Sequence, residues 1–103
     1  MQTILGAGGV IAAELAKNLP QHTREIRLVS RHPTKVNPTD EIMVADLLNA
    51  EQVGQAVQGS EVVYLVAGLP YNINTWRSQW PVIMNNVIRA CVEHHARLVF
   101  FDN

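Results

Sequence analysis

The stretch TILGAGGVIAAELAKNL, residues 3–19, decides the fold. It passes from a short apolar segment through three glycines into a segment whose apolar residues recur at helical spacing, and Pro20 ends that segment. A glycine-rich turn between a strand and a helix indicates one of two things. Either the backbone turns sharply there, or it approaches a ligand closely.

The composition of the chain is that of one globular domain. Its 103 residues are 48% hydrophobic and 17% charged, and the net charge is −1. This balance gives no basic surface for nucleic acid or for an anionic membrane. No apolar run is long enough to span a bilayer and no secretory signal is apparent. The single cysteine, Cys91, fits a reducing compartment, so we expect a cytoplasmic location.

Five short apolar runs predict strands, at residues 3–5, 25–29, 42–45, 62–66 and 97–101. They are rich in Val, Ile, Leu and Phe without alternation, which is typical of parallel strands buried on both faces. Helices are predicted over residues 9–19 and 49–58, with Gly59 just past the second helix. A third helix places Pro81 in its first turn and carries an apolar stripe of Met84, Val87, Ile88, Cys91 and Val92.

The crossover SRHPTKVNPTD, residues 30–40, contains two prolines and no helical stripe, so we expect a loop over the sheet. The remaining crossovers, taken as right-handed, predict a Rossmann-type α/β fold. It is a doubly wound parallel sheet in three layers, α/β/α, with strand order 3-2-1-4-5. Ligands bind such sheets at the carboxyl ends of the strands, where the order reverses. The glycine turn and the ends of strands 2 and 4 should meet there.

The glycines are best described as G-x-x-G-x-x-A, formed by Gly6, Gly9 and Ala12. Gly6 lets the chain turn out of the strand, Gly9 lets the helix approach a pyrophosphate, and Ala12 lets the helix lie close to the sheet. The free N–H groups of the first helical turn then form an anion site. Phosphate binding is the favoured interpretation, with a sharp turn alone as the alternative. The predicted contacts are Gly6, Gly8, Gly9, Val10 and Ile11.

Three segments resemble one known family. They are ILGAGGVIAAELA (residues 4–16), ADLLNAEQVGQAVQGSEVVYLVAG (45–68) and NNVIRACVEHHARLVFFDN (85–103). They are similar to the extended and atypical short-chain dehydrogenases, the NAD-dependent epimerase/dehydratase family. The resemblance covers the whole chain but only the N-terminal part of a family member. We therefore expect an apparently truncated domain, residues 1–103, with the substrate bound mainly by residues outside it.

The predicted second strand, EIRLVS, ends in Ser30, Arg31 and His32, without the carboxylate that takes the ribose hydroxyls of NAD. The Arg31 guanidinium suits a 2′-phosphate, because its fork gives paired charge-assisted hydrogen bonds. Ser30 can add a hydroxyl donor and Lys35 a further positive charge. We expect NADP, with NAD as the alternative. The opposing interpretation is that Arg31 is a solvated loop residue.

The resemblance implies two further contacts with the coenzyme. Asp46 would accept a hydrogen bond from the adenine amino group, with the Leu47 backbone alongside, although Asp46 is also a candidate for capping the next helix. The small residues after strand 4 would pass under the nicotinamide ribose, although the glycine among them is also compatible with a simple turn. These residues are Ala67, Gly68 and Leu69.

No residue of the chain is predicted to be catalytic or to bind a metal. The family uses a Tyr-x-x-x-Lys pair for proton exchange, but Tyr64 and Tyr71 have no lysine four residues later. Cys91 lies on the apolar stripe and is predicted to be core.

The first functional hypothesis is the NADP(H)-binding N-terminal region of an oxidoreductase, epimerase or dehydratase. It would act on a small hydroxyl or carbonyl substrate. The alternative is a non-catalytic module of the same fold that senses NADP(H). A flavodoxin- or receiver-like domain is the third alternative, but a receiver needs clustered carboxylates for Mg²⁺ at the strand ends, and only Asp46 and Asp102 are available there.

Overall fold

The computed structural model describes residues 1–6, 10–21, 25–66 and 73–101. Its elements follow the predicted alternation, and each strand lies within one residue of its predicted bounds. In chain order they are β1 (Gln2–Leu5), α1 (Val10–Asn18), a 3-10 turn (Leu19–Gln21), β2 (Ile26–Ser30), β3 (Glu41–Val44), α2 (Ala50–Val57), β4 (Val62–Val66), α3 (Ile73–Glu93) and β5 (Arg97–Phe101).

The strands form one five-stranded parallel sheet in the order β3-β2-β1-β4-β5, which confirms the predicted fold. The central strand β1 pairs with β2 and β4, so that Ile4 lies between Leu28 and Tyr64. Because side chains alternate between the two faces of a strand, Ile4 and Leu5 point into different cores. Leu5 packs in the core that holds α2 and α3, and Ile4 packs in the core that holds α1.

The helix α3 differs from its prediction in two ways. It begins at Ile73, so Pro81 lies inside the helix rather than in its first turn. The proline is tolerated because Pro81 and Arg77 are exposed, and water can reach the Arg77 carbonyl that loses its helical partner. The predicted stripe is also partly wrong. Ile88 and Val92 are 45% and 71% exposed, because the inward face is centred on Asn86, Val87, Ala90 and Cys91.

The crossover from β2 to β3 has no helix, as predicted. The buried Asp40 carboxylate accepts hydrogen bonds from the N–H groups of Val36 and Asn37, and the Asn37 side chain donates to the Ala16 carbonyl of α1 at 2.8 Å. This loop leaves one face of β3 uncovered, because Ile42 and Val44 are exposed. Burial of this strand on both faces was therefore a wrong expectation.

Within the described ranges, no helix combines the length and the apolar character that crossing a membrane requires.

Candidate functional site

Gly6 forms the turn at the carboxyl end of β1. Its φ is +86°, and a Cβ at this position would collide with the Val66 carbonyl oxygen at the end of β4. Its N–H donates to the Val29 carbonyl near the end of β2 at 2.9 Å. Only glycine can adopt this φ with the Val66 carbonyl so close. The ends of β1, β2 and β4 therefore lie next to one another at Gly6.

The rest of the glycine motif is described only in part. Helix α1 begins at Val10 and continues through Ile11, as the motif requires. Ala12 is 2% exposed and packs in the α1 core, which is the close helix–sheet contact expected of the small third residue. Gly8 and Gly9 lie outside the described residues, so their predicted contact with a pyrophosphate stays a prediction.

Ser30 and Arg31 lie where β2 ends. The Ser30 hydroxyl oxygen is buried and has no hydrogen-bond partner within the described part of the chain. Buried polar atoms in folded proteins almost always have a partner, so a ligand with an acceptor group near this hydroxyl would satisfy it. The Arg31 side chain is exposed, and no ion pair or hydrogen bond joins it to the described residues. The Arg31 guanidinium is therefore accessible to a ligand at this edge, and the Ser30 hydroxyl beside it is an unpartnered polar group.

Asp46 lies in a turn between β3 and α2. Its Oδ1 accepts from the Leu48 N–H at 3.0 Å, its N–H donates to Gln52 Oε1 at 2.8 Å, and its carbonyl accepts from the Asn49 N–H at 3.0 Å. The cap of α2 is Asn49, whose side chain accepts from the Gln52 N–H. The alternative role of Asp46 as a helix cap is therefore wrong, because Asn49 immediately precedes the helix.

Asp46 and Leu47 each keep one polar group without a hydrogen-bond partner within the described ranges. These groups are Oδ2 of Asp46, an acceptor, and the N–H of Leu47, a donor. These consecutive residues thus present one acceptor and one donor, while their own remaining polar groups are bonded within the protein. A ligand with a donor next to an acceptor could form hydrogen bonds with both groups.

Asn86 and Gln52 support this turn, and the sequence reasoning missed both. Asn86 of α3 is 8% exposed, and its side-chain Nδ2 donates to the Leu47 carbonyl at 3.0 Å. A polar residue on the inward side of an amphipathic helix was the available signal for Asn86. The Asn49-x-x-Gln52 spacing, similar to a capping box, was the signal for Gln52.

Two other titratable groups serve the fold. The Tyr64 hydroxyl donates to Gln2 Oε1 at 2.7 Å, and burial raises the pKa of this phenol. Proton exchange at a catalytic tyrosine needs the opposite shift. Burial also raises the pKa of the Cys91 thiol, which is 4% exposed in the core as predicted. A groove beside Cys91 lies at the amino ends of β4 and β5, at the other end of the sheet from Gly6.

The parallel sheet and its glycine turn define the class of protein, a Rossmann-type dinucleotide-binding domain. A family model described as NAD(P)H-binding matches residues 6–101. The chain therefore belongs to this NAD(P)H-binding family, which confirms the resemblance to the nucleotide-binding part of the epimerase/dehydratase-type dehydrogenases. Ala67, Gly68 and Leu69, predicted under the nicotinamide ribose, lie outside the described residues. No curated protein matches the chain.

Solved structures share the architecture. Uronate dehydrogenase from Agrobacterium tumefaciens superimposes with a TM-score of 0.86 and 21% identity, over 99% of this chain and 40% of that one. A Rossmann-fold NAD(P)-binding family protein from Shigella flexneri gives a TM-score of 0.74 and 29% identity, over 96% of this chain and 49% of that one. A variant of the Agrobacterium enzyme is complexed with NAD. The chain thus spans 40–49% of the length of these proteins.

Proposed function

We propose that residues 1–103 form the NADP(H)-binding N-terminal region of an epimerase/dehydratase-type oxidoreductase. The observation that carries the choice of coenzyme is the end of β2. There, a buried hydroxyl without a partner, Ser30, is followed by an exposed arginine, Arg31, in place of an acidic residue. A 2′-phosphate would accept from both groups, and the guanidinium can bind it through two parallel hydrogen bonds.

The residues at the carboxyl ends of the strands fit the rest of the coenzyme. The turn at Gly6 brings α1 to the sheet, and the backbone N–H groups of residues 8–11 would hold the pyrophosphate. Ala67, Gly68 and Leu69 would pass under the nicotinamide ribose. When bound, the nicotinamide supplies or accepts a hydride, and the protein orients it.

Asp46 and Leu47 fit the adenine base. Oδ2 of Asp46 would accept from the exocyclic amino group, and the Leu47 N–H would donate to the adjacent ring nitrogen. The unpartnered acceptor of Asp46 and the unpartnered donor of Leu47 match the donor and acceptor of this edge of adenine. The proposed substrate is a small hydroxyl or carbonyl compound, bound mainly by residues outside 1–103.

A non-catalytic NADP(H)-sensing module is the second candidate. It is favoured by the sequence of residues 1–103, in which neither Tyr64 nor Tyr71 has a lysine four residues later. Coenzyme binding is common to both candidates, so it is tested first. Oxidation or reduction of the bound coenzyme by a supplied carbonyl or alcohol then separates them.

The test is a fluorescence titration of the intact protein with NADPH and with NADH. We expect tighter binding of NADPH. Arg31→Asp should weaken NADPH binding about 10- to 100-fold, because it removes charge-assisted hydrogen bonds and adds repulsion. The same variant should leave NADH binding unchanged or strengthen it.

The matched control is Arg89→Asp, which makes the same charge change on the exposed side of α3. It should leave the ratio of the two affinities unchanged. Tighter binding of NADH by the unaltered protein would show that Arg31 does not select the coenzyme. Failure to bind either coenzyme would contradict the proposed function itself.

A further inference from the structure

Residues 46–49, here called the base loop, are held by side chains from two helices. Gln52 of α2 accepts the Asp46 N–H at 2.8 Å, and Asn86 of α3 donates to the Leu47 carbonyl at 3.0 Å. Asn86 is the one polar residue of α3 that is buried within the described part of the chain. A buried amide without a hydrogen-bond partner would destabilise the fold, so the bond from Asn86 to the loop avoids this cost.

The bond from Asn86 reaches the Asp46 carboxylate through one peptide unit. The Leu47 carbonyl that Asn86 holds belongs to the same planar peptide as the Leu48 N–H. That N–H donates to Oδ1 of Asp46 at 3.0 Å. Fixing the carbonyl end of this peptide therefore fixes the direction of its N–H, and the N–H in turn orients the carboxylate so that Oδ2 stays available.

We propose that Asn86 is a positioning residue for adenine recognition, acting through the Leu47–Leu48 peptide on Asp46. This inference rests on the proposed function, because it takes the base loop to be the adenine contact. The helix α3 would then contribute to selection of the base. Asn86 is distant in sequence from every residue predicted to contact the coenzyme.

The test compares two coenzymes that differ only in the base. They are NADPH and its analogue with hypoxanthine in place of adenine, whose ring carries a carbonyl where adenine has its amino group. Asn86→Leu keeps the number and branching of the side-chain heavy atoms and removes the donor. We expect about a five- to tenfold loss of affinity for NADPH, since one buried hydrogen bond is lost. Affinity for the hypoxanthine analogue should stay within about twofold, because Asp46 has no amino group to accept from there.

The matched control is Asn85→Leu, the same change at the neighbouring exposed position of α3. It should leave both affinities unchanged. A second measurement needs no coenzyme: amide hydrogen exchange at Leu48 should become faster in Asn86→Leu, while exchange within β1 stays slow.

The possible results are distinct. Equal losses for the two coenzymes, no loss for NADPH, or unchanged exchange at Leu48 would each overturn the role of Asn86. Equal binding of the two coenzymes by the unaltered protein would overturn it as well, since the loop would then not distinguish the base. Failure of the unaltered protein to bind either coenzyme would overturn the proposed function and this inference together.

Discussion

At the scale of single residues, Gly6 forms the turn that connects β1 to α1, and this turn lies at the candidate site. Its positive φ and its contact with the Val66 carbonyl leave no room for a Cβ. The sequence predicted this position, because a glycine directly after a strand and before an amphipathic helix is typical of a sharp turn or a close backbone approach. The geometry also shows that Gly6 is required by the turn itself, whatever the ligand.

Gly6→Ala should lower the free energy of unfolding by about 3 kcal/mol, because alanine adds both a strained φ and a collision. Gly54→Ala is the matched control, since a Cβ at this helical position in α2 has nothing within 4 Å. The control should raise stability by about 0.5–1 kcal/mol, because alanine favours the helix. Urea denaturation measures both values. A loss in Gly6→Ala no larger than the ordinary effect of a surface substitution would contradict the collision.

The base loop was predicted only in part. Asp46 and Leu47 were assigned to adenine from a family pattern, and this role stays a prediction; the cap at Asn49 and the bond from Asn86 were not predicted. Local sequence does not contain the second of these, because Asn86 lies 39 positions from Leu47 in the chain. The packing of α3 against the sheet brings Asn86 next to Leu47. Periodicity alone does not predict which side of α3 faces this loop.

At the scale of elements, α2 shows how a short helix is held at both ends. Asn49 caps its amino end, and Gly59, with a φ of +81°, follows its carboxyl end as predicted. No local pattern indicates that Arg27 of β2 reaches this carboxyl end. Its Nη1 donates to the carbonyls of Ala56 and Gln58 at 2.7 and 3.0 Å. A cation placed there also interacts favourably with the helix dipole.

Arg27→Met should therefore lower the free energy of unfolding by about 2 kcal/mol, since two carbonyls lose a charged donor while the packing of the stem is largely kept. The ion pair of Arg27 with Glu41 adds little, because Glu41 is half exposed. Arg97→Met on β5 makes the same change at an exposed arginine and should alter stability by less than about 0.5 kcal/mol. Equal effects of the two variants in thermal or urea unfolding would contradict the capping role of Arg27.

The extent of α3 was not predictable from its pattern. Ile73, Trp76 and Trp80 recur at helical spacing, but Pro81 was taken to mark the first helical turn, so the helix was expected to begin near Pro81. Its orientation was wrong for a related reason: two apolar residues, Ile88 and Val92, were assumed to face inward. The strands were easier to predict, because short apolar runs between turn residues have few alternatives in an α/β domain.

At the scale of the whole molecule, strand order followed from general rules of topology. Right-handed crossovers in a β-α-β sequence leave few arrangements, and the sheet adopts the predicted one. The division of the core into two clusters on opposite faces follows from the same order. The open face of β3 was not predicted, because the apolar residues Ile42 and Val44 look like core in the sequence.

Cys91 offers a measurement of global opening. It is 4% exposed in the core of α2 and α3, and burial raises its pKa, so at pH 8 less of it is thiolate than in an exposed cysteine. We expect labelling by a chromogenic disulfide reagent to be slow in the native protein and fast in urea. The rate should increase with urea in parallel with unfolding. Immediate reaction of the folded protein at pH 8 would contradict this burial.

The helix-free crossover has a consequence for how the molecule opens. Within the described residues the edge strand β3 pairs only with β2 and has one exposed face, so we expect it to fray more readily than the central strands. Arg31 comes just before this crossover and Asp46 just after β3. A coenzyme bound by both residues, as proposed, would connect the two ends of the segment that contains this edge strand. Coenzyme binding would therefore stabilise the edge of the sheet at β3, where contacts within the described part of the protein are few.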